Sequence, residues 1–342
     1  MARAERRRAR QVKETPRTLR EADYLLRVND YARQGALRFC LPQRVGVFQA
    51  PSTDKPIPPL VNLASLLSAA AHVETDTDTI EDLRLLLQPG SSLGGARPKA
   101  SVLDANGKLA VAKFPSDGDD YNLVRWEGVA LALAAMAGIQ VPDWRIEPVA
   151  GKDVLLLTRF DRQGSARVPY QSAMTMLGAS DNEDHSYLEI ADCLNRFGAN
   201  PAKDKAALWR RIVFNILITN TDDHLRNHGF LRESGLGWQL SPAFDMNPVP
   251  TDIGPRFLRT AVGIDDDEAS LVLALEQADY FQLGQSDAKR IAAEVGAATA
   301  QWRDVAKRLG IAAIECQRMA SAFEHTDLEH ALALHRQPGR AS

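Results

Sequence analysis

Residues 219–230 read TNTDDHLRNHGF and follow an apolar run, RIVFNILI, at residues 211–218. Two aspartates, two asparagines and two histidines crowd into that stretch, so its reading decides what kind of site the chain carries. Asp222 stands five residues before Asn227, and Asp223 four before it. A carboxylate can accept a proton and an amide oxygen can hold a hard cation, so the stretch offers both kinds of group. A zinc reading competes, because His224 and His228 are spaced i,i+4. Leu225 sits where that motif needs its glutamate base, and the Asn, Asp and Gly around it disfavour a continuing helix. His224 is therefore expected to order the loop, His228 to be a satisfied structural histidine, and Asn220 with Thr221 to turn the chain at the helix end.

Upstream, SSLGGARPK (residues 91–99) places Gly94 and Gly95 where backbone can approach a phosphate closely, with Arg97 and Lys99 adding positive charge. It lacks the GK[ST] ending of a Walker loop. ASVLD and LAVAKF flank Asn106-Gly107, a strong hairpin signal. Lys113 ends the second strand and resembles the V-A-I-K lysine of protein kinases, which holds nucleotide phosphates and pairs with a glutamate from the next helix. Glu127, inside the long apolar-faced stretch LVRWEGVALALAAMAGI, is the candidate partner. Downstream, SPAFDMNP offers Asp245 as a second metal carboxylate. Glycine loop, strand lysine, helix glutamate, Asp-x4-Asn and a later Asp stand in the order a kinase-like site requires.

The 342 residues are 45% hydrophobic and 25% charged, the profile of a globular chain long enough for two lobes. A net charge of −3 gives no global drive toward nucleic acid or membrane. Cys40, Cys193 and Cys316 lie far apart without CxxC spacing, which points to a reducing, cytoplasmic setting. No signal-peptide pattern and no apolar run of about 20 residues is present, so no membrane association is expected. The first twenty residues hold eight Arg or Lys against two Glu, readable as a solvated tail or frayed helix, or as an arm touching DNA phosphates. ALRFCL and RVGVFQ read as strands, and NLASLLSAAAHVE and TIEDLRLLLQPG as helices. VPDWRIEPV and DVLLLTRFDR read as strands again, and the chain from residue 171 is mostly helical with an irregular patch over 219–260.

SSLGGARPKASV, LLLTRFDR, TNTDDHLRNHGF and LSPAFDMNPVP together resemble the HipA family of serine/threonine kinase toxins from type II toxin–antitoxin modules. The similarity runs from about residue 17 to about residue 330 and implies an α+β, bilobal, protein-kinase-like fold. The implied division is a basic arm over 1–20, a strand-containing N-lobe over 21–160, a helical C-lobe over 161–335 and a tail over 336–342. By motif position, Asp222 would be the catalytic base and Asn227 and Asp245 would hold Mg²⁺. Ser92, Gly94, Gly95, Lys99 and Lys113 would bind ATP phosphates, and Thr158, Arg159 and Phe160 would line the adenine hinge. Ser92, or its neighbour Ser91, would be the autophosphorylation site that switches the kinase off. The resemblance further implies a cytosolic protein substrate, often an aminoacyl-tRNA synthetase in this family, and a helix-turn-helix antitoxin on operator DNA. Family members usually carry a further N-terminal subdomain, which a small separate protein would supply in a tripartite module. The alternatives are a vestigial kinase acting as DNA-bound co-repressor and a small-molecule phosphotransferase of the aminoglycoside type. GGARPK and RFDR favour the HipA-like reading over the latter.

Overall fold

The computed structural model describes residues 2–50, 57–87, 97–233 and 235–335. Ser91, Ser92, Gly94 and Gly95 lie outside the described residues. The chain divides into two compact units, Met1–Asp120 with Asp143–Pro169, and Tyr121–Pro142 with Tyr170–Ser342.

The first unit opens with helices α1 (Ala2–Gln11) and α2 (Glu21–Arg27). Two more, α3 (Leu63–Glu74) and α4 (Ile80–Leu87), precede the sheet. The strands are β1 (Lys99–Leu103), β2 (Leu109–Lys113), β3 (Trp144–Val149) and β4 (Lys152–Thr158), all antiparallel in the order β1-β2-β4-β3. The β1–β2 turn forms at Asn106-Gly107 as expected. Asp104 Oδ1 accepts from the Asn106 and Lys108 amides, and Gly107 takes φ +73°, a conformation glycine adopts without a Cβ penalty. Alternation sends Ala100, Val102, Ala110, Ala112, Val154 and Leu156 to one face, where they bury Leu63, Leu66 and Leu67 of α3. Each such leucine contributes about 2 kcal/mol.

Two differences from the sequence reading stand out. The basic N-terminus, readable as a solvated tail or a frayed helix, is a helix that is docked and not frayed: Glu5 and Ala9 are buried, and Arg7 pairs with the buried Asp78 at 2.7 Å. The strands expected in ALRFCL and RVGVFQ reduce to a single bridge between Cys40 and Phe48. Leu37, Val45 and Val47 are largely exposed there, and without a neighbouring sheet to bury their apolar faces such segments gain little from pairing.

In the second unit, α5 (Leu123–Met136) is capped by Asn122, whose side chain accepts from the Arg125 amide. Short elements follow: β5 (Arg162–Gln163) and β6 (Ala166–Arg167), a hairpin in the first unit, then β7 (Tyr170–Ser172) and α6 (Ala173–Leu177). Next come β8 (His185–Ser186), α7 (Tyr187–Phe197) and the core helix α8 (Pro201–Leu217). Asn200 caps α8, and Pro201 sits at its first turn, where no amide is needed. Strands β9 (Gly229–Leu231), β10 (Gln239–Leu240) and β11 (Thr260–Ala261) bracket the irregular patch; β9 joins β7 to β10, and β11 runs parallel to β8. The unit closes with α9 (Leu271–Glu276), α10 (Gln285–Thr299), α11 (Trp302–Arg308), α12 (Ala313–Phe323) and α13 (Thr326–His335).

One aromatic cluster fixes α5 in this unit. Trp302 stacks on Phe323 at 4.7 Å between ring centroids, and Trp126 packs 6.1 Å from both. Glu315 on α12 then accepts from the Trp126 indole at 2.7 Å and from the Asn122 amide at 3.0 Å.

Candidate active site

Helix α8 delivers the chain into the 219–230 stretch. Its end is forced by Thr219 at φ +52°, held by a bond from its hydroxyl to the Ala322 carbonyl at 2.8 Å. A β-branched residue in the left-handed region is strained and persists only where its surroundings over-determine it. The chain then exposes Asp222, buries Asp223 and makes one 3₁₀ turn over Leu225–Asn227 before entering β9.

The adjacent aspartates face opposite environments. Asp223 is 3% exposed, and its Oδ2 accepts from the Tyr187 hydroxyl at 2.5 Å, the Asn215 amide at 2.7 Å and His228 Nε2 at 2.7 Å. Its carbonyl takes the Thr260 hydroxyl at 2.6 Å. Burial, and then the charge of Asp223, hold the Tyr187 phenol well above its ordinary pKa, so it remains a donor. Arg211, fully buried on α8 and bonded to the Ser241 carbonyl, is pulled down to about 10 by burial, while Asp223 and Asp204 oppose the shift. It stays charged at neutral pH and supplies the counter-charge beneath the loop.

Asp222 is open to solvent on its outer side. Partial burial of the carboxyl raises its pKa first, the negative charges of Asp245 and Asp223 add, and His224 and Arg259 oppose. Asp245 belongs to the 241–250 segment and holds φ +62°, a second non-glycine residue in the left-handed region. Asn227 is buried and spends its Nδ2 on the Asp222 carbonyl at 3.3 Å, leaving the amide oxygen as its donor to a cation. Asp222, Asn227 and Asp245 therefore converge in one unit as an oxygen-only set, and Mg²⁺ favours oxygen ligands while keeping several waters. The donor set fits that ion. His224 and His228 share no helix face. His228 Nε2 belongs to Asp223, and the His224 ring finds no partner for Nδ1 among the described residues.

Several residues that build this loop lay outside the sequence reading. Asn215 and Arg211 were visible as polar residues in a core helix, which is a signal for a buried network. Tyr187 and Thr260 carried none, since only the fold brings them to Asp223.

The remaining candidates lie elsewhere. Lys113 of β2 stands directly across from Lys99 of β1 and beside Leu155 of β4, on the sheet face opposite the α3 core. Glu127 is buried on α5 in the second unit. At the end of β4, the Thr158 amide bonds to Asp143 and the Arg159 amide to Leu109. The Arg159 side chain turns inward: it is buried, chelates Asp161 at 2.8 and 2.5 Å, and donates to the Ala32 carbonyl at 2.6 Å. Asp161 also takes Arg162 and the Gly35 amide. Burial alone would raise the Asp161 carboxyl, but its two guanidinium partners hold it below the usual range. Arg159 thus stiffens the strand end.

Solved structures share this architecture. A Shewanella oneidensis MR-1 toxin–antitoxin structure of HipA, HipB and operator DNA superposes with TM-score 0.54 at 19% identity, covering 71% of this chain and 64% of that one. The Helicobacter pylori proinflammatory kinase CtkA superposes with TM-score 0.56 at 16% identity, covering 72% of this chain and 95% of that one. The fold is therefore the mixed α/β one seen in HipA and in the CtkA kinase. The HipA-like C-terminal domain family matches residues 91–302, and the chain belongs to that family. Curated relatives are a Haemophilus influenzae protein named "Putative kinase", 25% identical over 188 residues, and Sinorhizobium fredii "Putative kinase Y4mE", 24% identical over 181. The first match covers 48% of this chain and 55% of the relative, the second 45% and 41%, so this chain spans about half the length of the curated relatives it matches. Among the described residues no helix is long and apolar enough to cross a membrane.

Proposed function

We propose that the chain is an ATP-dependent serine/threonine protein kinase of the HipA-like toxin type, acting on a cytosolic protein to arrest growth. One observation carries this reading: an exposed Asp222 of raised pKa adjoins a buried Asp223 whose Oδ2 takes three donors, with Asn227 and Asp245 beside it. Phosphoryl transfer asks mainly for positioning and charge neutralisation, and this set is sufficient for it. ATP supplies the γ-phosphoryl group, and Asp245 and Asn227 would hold Mg²⁺, which would offset phosphate charge. Asp222 orients the substrate hydroxyl and accepts its proton as the new O–P bond forms, the β–γ bridging bond breaks and ADP leaves with that electron pair. A carboxylate nearer neutral pH than usual is the better acceptor. Lys113 and Lys99 hold phosphates, and the 158–160 segment receives the adenine. Ser92 or Ser91 takes a phosphate in the self-reaction, where added negative charge repels nucleotide from the adjacent glycines. The partners implied are a helix-turn-helix antitoxin, operator DNA through that antitoxin, and a small separate protein completing the N-terminal side.

Purified chain incubated with ATP-Mg²⁺ and cell lysate is expected to show, by mass spectrometry, a phosphate at Ser92 or Ser91 and on one dominant substrate. D222N is expected to lower both by at least about 100-fold. Undiminished phosphorylation by folded D222N removes Asp222 as the base.

A further inference from the structure

Residues 219–223 of the catalytic loop and residues 245–249 beyond Asp245 are distant in sequence, yet hydrogen bonds tie them, two of them as follows. One is main chain to main chain, from the Val249 amide to the Thr219 carbonyl at 3.1 Å. The other runs through a single side chain. Asn220 is 1% exposed; its Oδ1 accepts from the Asn247 amide at 3.1 Å, and its Nδ2 donates to Asn215 Oδ1 at 3.1 Å. Asn215 in turn uses its own Nδ2 on Asp223. A continuous relay, Asp223–Asn215–Asn220–Asn247, therefore joins the floor beneath Asp222 to a point two residues beyond Asp245. The relay needs a short side chain carrying both a donor and an acceptor. Asp lacks the donor, Leu lacks both, and Gln is longer by one methylene. Because Asn220 is buried and satisfied at both ends, removing it strands the Asn247 amide and the Asn215 oxygen, which the loops can relieve only by moving.

We infer that Asn220 is a positioning residue that sets the span between the Asp222 and Asp245 carboxylates, and with it the affinity of the site for one divalent cation. This rests on the phosphotransfer reading of those residues. Asn220 touches neither substrate nor metal and acts through the two loops it joins.

The test uses the full chain with Mn²⁺ alone, titrated by electron paramagnetic resonance of the free ion, alongside the Mg²⁺ dependence of ATP turnover. N220A is expected to weaken Mn²⁺ binding about tenfold and to raise half-saturating Mg²⁺ by a similar factor, with the KM for ATP at saturating Mg²⁺ changed less than twofold. N220S, which keeps a shorter hydroxyl acceptor, is expected to fall between N220A and the parent and is the variant to read if N220A folds poorly. A folded N220A or N220S with Mn²⁺ affinity and Mg²⁺ half-saturation within twofold of the parent overturns the inference, whatever its kcat or Tm. D245N keeps the two failures apart. If D245N leaves Mn²⁺ binding and turnover intact, the phosphotransfer reading itself fails; if D245N abolishes both while N220A changes neither, only the role of Asn220 fails.

Discussion

Asp222 and Asp223 differ by one position in the chain and by almost everything in their surroundings. Sequence spacing alone separates them, by counting back from Asn227. The structure adds a physical ground, since three donors and a buried guanidinium converge on Asp223, whereas Asp222 faces solvent with Asp245 for company. The two should respond oppositely to amide substitution. D222N removes a carboxylate whose charged form the fold disfavours, so stability at pH 7 should hold or rise slightly while phosphotransfer is lost. D223N turns a buried acceptor toward donors and leaves Arg211 with Asp204 in place of two carboxylates, which should cost about 3 kcal/mol. Urea unfolding of both variants at pH 7 checks the pair; equal midpoints would refute the division of labour. Arg159 illustrates the opposite case. A motif position marks it for the adenine hinge, and the fold commits its guanidinium to Asp161 and the Ala32 carbonyl, so tertiary contacts and not the motif set that side chain.

Helix ends supply the next level. The capping residues Asn122, Ser172, Asn200 and Ser270 each accept a bond from their own helix. Between α12 and α13 the chain is held by a buried histidine. His325, which sits there, is buried with Nε2 donating to the α8 carbonyl of Leu217 at 3.2 Å. Burial, then the positive charge of Arg256, push its pKa down to about 4, against the pull of Asp327. The folded state therefore binds fewer protons than the unfolded chain, whose histidine titrates near 6.5. Stability from this site is complete above the unfolded value and is lost as pH falls toward 4. The loss amounts to about 3 kcal/mol across that window. In H325Q, the decline of unfolding free energy between pH 6.5 and 4 should be shallower by that amount. A parallel decline in parent and variant would show that other groups carry it.

At the scale of the whole molecule, α5 is the informative element. Sequence order places it among the strands, between β2 and β3, and the candidate ion-pair residue Glu127 lies on it. Packing assigns it to the helical second unit, because Trp126 completes the Trp302–Phe323 stack and Glu315 holds both the indole and the helix start. A fragment beginning at residue 170 should therefore fail to fold stably, exposing that aromatic face, whereas one beginning at residue 121 keeps it covered. Circular dichroism melting and dye binding to exposed apolar surface distinguish the two; equal cooperative melts would refute the assignment. The order of Lys113, Glu127, Asp222, Asn227 and Asp245 along the chain was legible, as were the Asn106-Gly107 hairpin and most helices, because periodicity, caps and motif spacing are local properties. The failure of residues 36–49 to form strands, the docking of α1 on Asp78, the inward turn of Arg159 and the Asn215–Asn220–Asn247 relay were decided only by tertiary structure. Each depends on which distant donor, acceptor or apolar face arrives to meet it, and a buried polar group takes its role from the partner that satisfies it.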